Sequence, residues 1–234
     1  MIEFFNTILH HITKYQQEFN ATIAANFRED SLTSSLSILG ISLLYGIIHA
    51  LGPGHGKALV ASYFLTHKQS YKKAFKMGYM ISGIHATSAL FITFLLYFVL
   101  DVLFSKTFQE TSLYMGKASG VLIIMIALYL FFQQHQEHQE DYDAKKSDMS
   151  VAFSAGVVPC PGVMTVVLFS LMMGKIFVGI LAAIMMSIGM GVTISLAAIL
   201  AVGTREKSSE KISYFFPYIG NTMILILGLY LTLN

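Results

Sequence analysis

Between residues 36 and 66 the chain reads as a membrane span that has been interrupted. The interruption is His49-Ala50-Leu51-Gly52-Pro53-Gly54-His55-Gly56-Lys57. A continuous helix over 36–66 would measure about 46 Å against a hydrocarbon core of about 30 Å, so one simple crossing does not accommodate it. Gly52, Pro53, Gly54 and Gly56 mark where the helix breaks. Two imidazoles and an ammonium are costly in hydrocarbon. Non-helical backbone survives at that depth only where protein or a water-filled cavity satisfies it. The segment therefore reads as a binding site built on a helix break.

The rest of the chain supplies the membrane setting. Apolar residues make up 55% and charged residues 12% of the 234 positions, where a soluble domain carries about 25% charge. The fold class expected is all-α: a polytopic membrane protein with six transmembrane helices near 36–66, 77–100, 116–133, 150–173, 177–203 and 213–233. The fourth span carries a second breaker, Pro159-Cys160-Pro161-Gly162. Residues 1–35 form an N-terminal segment with Phe4, Phe5, Ile8, Leu9, Ile12, Tyr15, Phe19 and Ile23 at roughly helical spacing. That pattern suits an amphipathic helix on the membrane surface or a packing arm. It has neither the basic start nor the apolar run of a cleavable signal. Residues 134–149 read as a polar cytoplasmic linker.

A net charge of +2 gives no reason to expect nucleic acid, and a single cysteine, Cys160, excludes an internal disulfide. The lipid bilayer and a divalent metal ion are the partners expected, and self-association into a homo-oligomer is left open. Lys68, Lys72, Lys73, Lys76, Lys145, Lys146, Arg205, Lys207 and Lys211 fall on one set of loops. By the positive-inside rule both termini then face away from the cytoplasm.

The two halves echo each other. Pro159 follows Pro53 by 106 residues, Ser187 follows Ser82 by 105, and Gly228-Leu229-Tyr230-Leu231 follows Ala127-Leu128-Tyr129-Leu130 by 101. Three near-equal offsets in one order suggest duplication, with a first three-span repeat over 36–133 and a second over 150–234. An odd number of spans per unit forces the second copy to insert upside down. That is the inverted-repeat plan of transporters, with broken first and fourth helices facing a midplane site.

His49 and His55 would not share a face of an unbroken helix, but a chain turned at Pro53 can aim both rings at one point. Neutral imidazole suits Ni²⁺, Co²⁺, Zn²⁺ or Cu²⁺ rather than Mg²⁺ or Ca²⁺, which want oxygen. His85, about one turn inside the second span, is a natural third ligand. Cys160 offers a fourth donor as thiolate and a small apolar filler as thiol. Pro159, Pro161 and Gly162 open the second helix. Nothing acidic lies inside the expected spans, so a cation held there would be held with moderate affinity, as a carrier requires. Lys57 is better placed snorkelling to the interface or bonding the free carbonyls of the break.

These residues resemble the NicO family of nickel/cobalt transporters, including its RcnA-type exporters. The resemblance rests on His49 to Lys57 (HALGPGHGK), His85, Gly156 to Gly162 (GVVPCPG), the glycine-rich fifth span and the closing segment from Pro217 to Leu231. It implies a six-span carrier, not an enzyme, with no permanently bound cofactor and with Ni²⁺ or Co²⁺ as transported substrate. It places that carrier in a bacterial cytoplasmic membrane and assigns His49, His55 and His85 to metal handling. RcnA-type proteins often carry Glu where Gly52 stands, and commonly a long His-rich loop of which only His135 and His138 remain here.

Efflux by a secondary, proton-coupled mechanism is the leading expectation, with nickel/cobalt uptake as the alternative. No nucleotide-binding signature is present, since Gly56-Lys57 is followed by Ala58. A thiol-disulfide electron carrier of the DsbD/CcdA type would need a cysteine in each half, and Gly54 occupies the place matching Cys160. An intramembrane hydrolase built on Ser82 or Ser88 would need a histidine properly aimed at the hydroxyl.

Overall fold

The computed structural model describes residues 2–51, 60–61, 63–65, 69–99 and 160–208, with isolated positions between 121 and 157 and between 218 and 232. All regular structure among the described residues is helical. The helices are α1 (Ile2–Phe27), α2 (Leu32–Leu51), α3 (Tyr71–Val99), α4 (Pro161–Met172) and α5 (Ile176–Lys207). Three of them, α2, α3 up to Phe98 and α5, are long and apolar enough to cross a membrane. The 20 residues of α2 rise about 30 Å, one hydrocarbon core. The expected third and sixth spans lie largely outside the described residues.

The apolar surface is arranged for lipid. On α5 the exposed residues Ile184, Ile188, Val192, Leu196 and Leu200 recur every four positions. Its buried side carries Ala182, Ala183, Met186, Met190, Ala198 and Ala201. A continuous exposed stripe of large apolar side chains over small buried ones is out of place in water and suits a bilayer, where small residues let helix backbones approach.

Local chemistry sets where the helices begin. Ser31 Oγ accepts the Ser34 amide at 3.0 Å and Ser70 Oγ accepts the Lys73 amide at 3.3 Å, each satisfying an amide that the first helical turn leaves unpaired. α4 ends on Gly174 at φ +69, a left-handed position that costs glycine nothing. The Gly174 and Lys175 amides then close back on Leu171 and Ser170. Lys175 in turn donates to the carbonyls of Phe27 and Glu29 and pairs with Asp30 at 2.7 Å, pinning the end of α1. Ile23 and Phe27 are fully buried, so the C-terminal end of α1 is a packing element.

The chain divides into two compact units, each drawing on segments from both sequence halves. One comprises Met1–Pro53, Ser82–Asp101 and Gly156–Thr193. In it α2 and α5 meet backbone to backbone: a Cβ on Gly46 would overlap the Met186 carbonyl, and one on Gly189 the Leu43 carbonyl. The Thr193 hydroxyl adds a bond to the Ile47 carbonyl at 3.3 Å. The other unit comprises Gly54–Ile81, Val102–Ala155 and Ile194–Asn234. There Gly78 lies against Ser195, whose hydroxyl donates to the Phe75 carbonyl at 2.9 Å, and the Tyr71 hydroxyl donates to Glu206 at 2.6 Å.

Candidate functional site

α2 is described as far as Leu51, directly before Gly52, and carries His49 two residues earlier. Helical backbone is described again at Val60. Gly52, Pro53, Gly54, His55, Gly56 and Lys57 lie outside the described residues, as does Pro159.

The second break is described on both flanks. Ala155 and Gly156 are helical, Val157 is a bend, and Cys160 is extended at φ −94, ψ 139. Pro161 then takes the first helical position of α4, where a missing N–H costs nothing. Cys160 Sγ accepts the Val163 amide at 3.4 Å, doing for α4 what Ser31 and Ser70 do for α2 and α3. Sequence reasoning missed this role. The signal was Pro161 at a helix start, but cysteine is not among the usual capping residues.

His49, His85 and Cys160 come together from α2, α3 and the break before α4. One donor atom from each lies within 4.8 Å of the others, and no carboxylate joins the group among the described residues. The two imidazole rings are 6.5 Å apart between centroids and inclined by 30°. His85 Nε2 is buried with no hydrogen-bond partner among the described residues. The Ser88 hydroxyl, one turn on, donates to the carbonyls of His85 at 2.9 Å and Gly156 at 3.3 Å, tying α3 to the segment that leads into Cys160.

A four-coordinate ion with bonds of about 2.0 Å to nitrogen and 2.3 Å to sulfur would set such donors roughly 3.3–3.6 Å apart. The cluster is therefore open by no more than about 1.5 Å, a gap that side-chain rotation can close. Two imidazoles and a thiol select borderline transition-metal ions and offer nothing to Mg²⁺ or Ca²⁺.

Sequence reasoning also missed Tyr45. Its ring stacks on His49 at 5.7 Å between centroids, inclined by 9°. A Cβ on Gly162 would overlap its hydroxyl. The spacing of Tyr45 and His49 was the only available signal, as residues four apart share a helix face.

Fold and site together define a helical membrane protein with an imidazole–thiol cluster drawn from α2, α3 and the break before α4. Residues 35–149 match the family model NicO, described as "High-affinity nickel-transport protein". Over that region the chain is similar to the NicO family. It is 28% identical over 194 residues to a "Putative nickel/cobalt efflux system" of Methanocaldococcus jannaschii, covering 81% of this chain and 89% of the relative. It is 21% identical to the nickel/cobalt efflux system RcnA of Escherichia coli K12, again over 81% and 89% of the two chains. No solved structure matches it.

Proposed function

We propose that the protein carries Ni²⁺ or Co²⁺ across a bacterial cytoplasmic membrane, moving it out of the cell, with His49, His85 and Cys160 as ligands in transit. The observation that carries this is the convergence of two imidazoles and a thiol without a carboxylate, in a chain whose relatives are named nickel/cobalt efflux systems. A donor set without a carboxylate holds a divalent ion without trapping it, because its one negative charge, the Cys160 thiolate, forms on binding and is reprotonated on release. His55 is taken as a further metal-handling residue, and Gly52, Pro53, Gly54, Gly56, Pro159, Pro161 and Gly162 as the residues that open the helices, with Lys57 snorkelling to the interface or bonding the freed carbonyls. The chain performs no covalent chemistry on its cargo and needs no resident cofactor.

The architecture proposed with this function is six spans in two inverted three-span repeats, both termini facing away from the cytoplasm. Direction of transport is read by expressing the protein in a metal-sensitive strain and measuring cell nickel and cobalt. Lower content with better growth means efflux, while higher content means uptake and reverses the direction proposed.

Coupling to protons follows from ligand chemistry, because imidazole and thiol must shed protons to bind metal. Proteoliposomes are expected to show proton flux that depends on added nickel. Metal movement without any proton flux contradicts exchange.

The two roles of Cys160 separate in Cys160→Ser. A hydroxyl can still accept the Val163 amide, so the thermal midpoint is expected to stay unchanged. Nickel affinity, measured by calorimetry on purified protein, is expected to fall by at least about 100-fold, as serine is a poor ligand for this ion. Unchanged nickel binding would leave Cys160 as a helix cap alone.

A further inference from the structure

Tyr45 has no donor suited to Ni²⁺ or Co²⁺, yet it is held as firmly as any residue around the cluster. It is 3% exposed and lies one turn before His49 on α2. Two neighbours restrain it. Its ring lies almost parallel to the His49 imidazole, 5.7 Å away and inclined by 9°. Its hydroxyl is seated against Gly162, two residues beyond Cys160, where any Cβ would overlap it. The ring thus spans from one metal-ligand candidate to the helix turn that carries another.

An imidazole on a helix has freedom about both side-chain torsions. A parallel aromatic face removes most of it, since tilting the imidazole would cost the stack. We propose that Tyr45 is a positioning residue of the metal site: its ring, stacked on the imidazole, sets the plane of His49. The proposal rests on the reading of His49 as a metal ligand. Groups that orient a ligating histidine typically change metal affinity about 10- to 100-fold when removed, although they never touch the ion.

The ring and the hydroxyl make separable predictions. Tyr45→Phe keeps the stack and loses only the hydroxyl, whereas Tyr45→Leu loses the stack. Gly162→Ala leaves Tyr45 in place but pushes its ring aside.

The test is Co²⁺ titration of the purified full-length protein, followed by its visible ligand-field bands, with thermal midpoints recorded for every variant. Tyr45→Leu is expected to weaken Co²⁺ binding about 10-fold and to shift the bands. Gly162→Ala is expected to shift them in the same way, which keeps the test decisive if the leucine variant does not fold. Tyr45→Phe should match the wild type in both affinity and bands. Wild-type bands and affinity in Tyr45→Leu or, if that variant does not fold, in Gly162→Ala overturn the proposal. Equal losses in Tyr45→Phe and Tyr45→Leu overturn it too, because the hydroxyl rather than the stack would then matter. His49→Ala separates the two layers: lost Co²⁺ binding there upholds the ligand reading whatever Tyr45 does. Retained binding in His49→Ala removes that reading and the proposal with it.

Discussion

Cells expressing His49→Ala or His85→Ala are expected to lose nickel and cobalt tolerance down to the level of cells with no carrier at all. Each substitution removes one of the three donors that lie within 4.8 Å of one another. Neither leaves a neighbour to replace it, since no carboxylate joins the cluster among the described residues. Residues that merely orient a ligand cost up to about 100-fold in affinity, and removing the ligand should cost at least that. The folded protein should survive, because alanine suits a helix and the lost rings are polar. Cell metal content, growth and membrane abundance measured together check this. Wild-type tolerance in either variant at equal abundance would remove that histidine from the ion path.

A second large effect is expected far from any donor. Gly46 and Gly189 face main-chain atoms across the α2–α5 contact, and backbone carbonyls have no alternative rotamer into which to retreat. Adding side-chain carbons to a packed interface costs about 1–3 kcal/mol when neighbours can adjust. Here they adjust only by moving whole helices apart. Gly46→Leu and Gly189→Leu are each expected to lose most of the monodisperse protein in detergent. Gly40→Leu is the control, because a Cβ there meets open space on the same helix. The measurement is size-exclusion chromatography after heating, with Gly40→Leu expected to behave as wild type. Wild-type thermal behaviour in Gly46→Leu would mean that α2 and α5 do not meet as described.

Membership in a helical membrane class was legible because it rests on bulk properties, 55% apolar and 12% charged residues. The start of α4 was legible for a local reason. Proline acts on its own backbone whatever surrounds it, so α4 starting at Pro161 follows from Pro161 itself, whereas the break expected over 52–56 lies outside the described residues. The meeting of His49, His85 and Cys160 was legible only through function: costly groups in three apolar segments suggest a shared purpose. Tyr45, Gly46 and Gly189 were not legible, because their importance comes from what lies opposite. A tyrosine four residues before a histidine, or a glycine in an apolar run, looks the same whether it faces lipid or a partner helix. Lys175 was hidden likewise, since nothing in its neighbourhood announces the distant end of α1 that it holds.

X-ray absorption on the nickel-loaded, purified protein reports the donors directly, without reliance on growth or transport. The account predicts a first shell containing one sulfur together with imidazole nitrogens. The sulfur should disappear in Cys160→Ser, and the imidazole signature should diminish in His85→Ala. A shell of oxygen donors alone, unchanged in both variants, would contradict it.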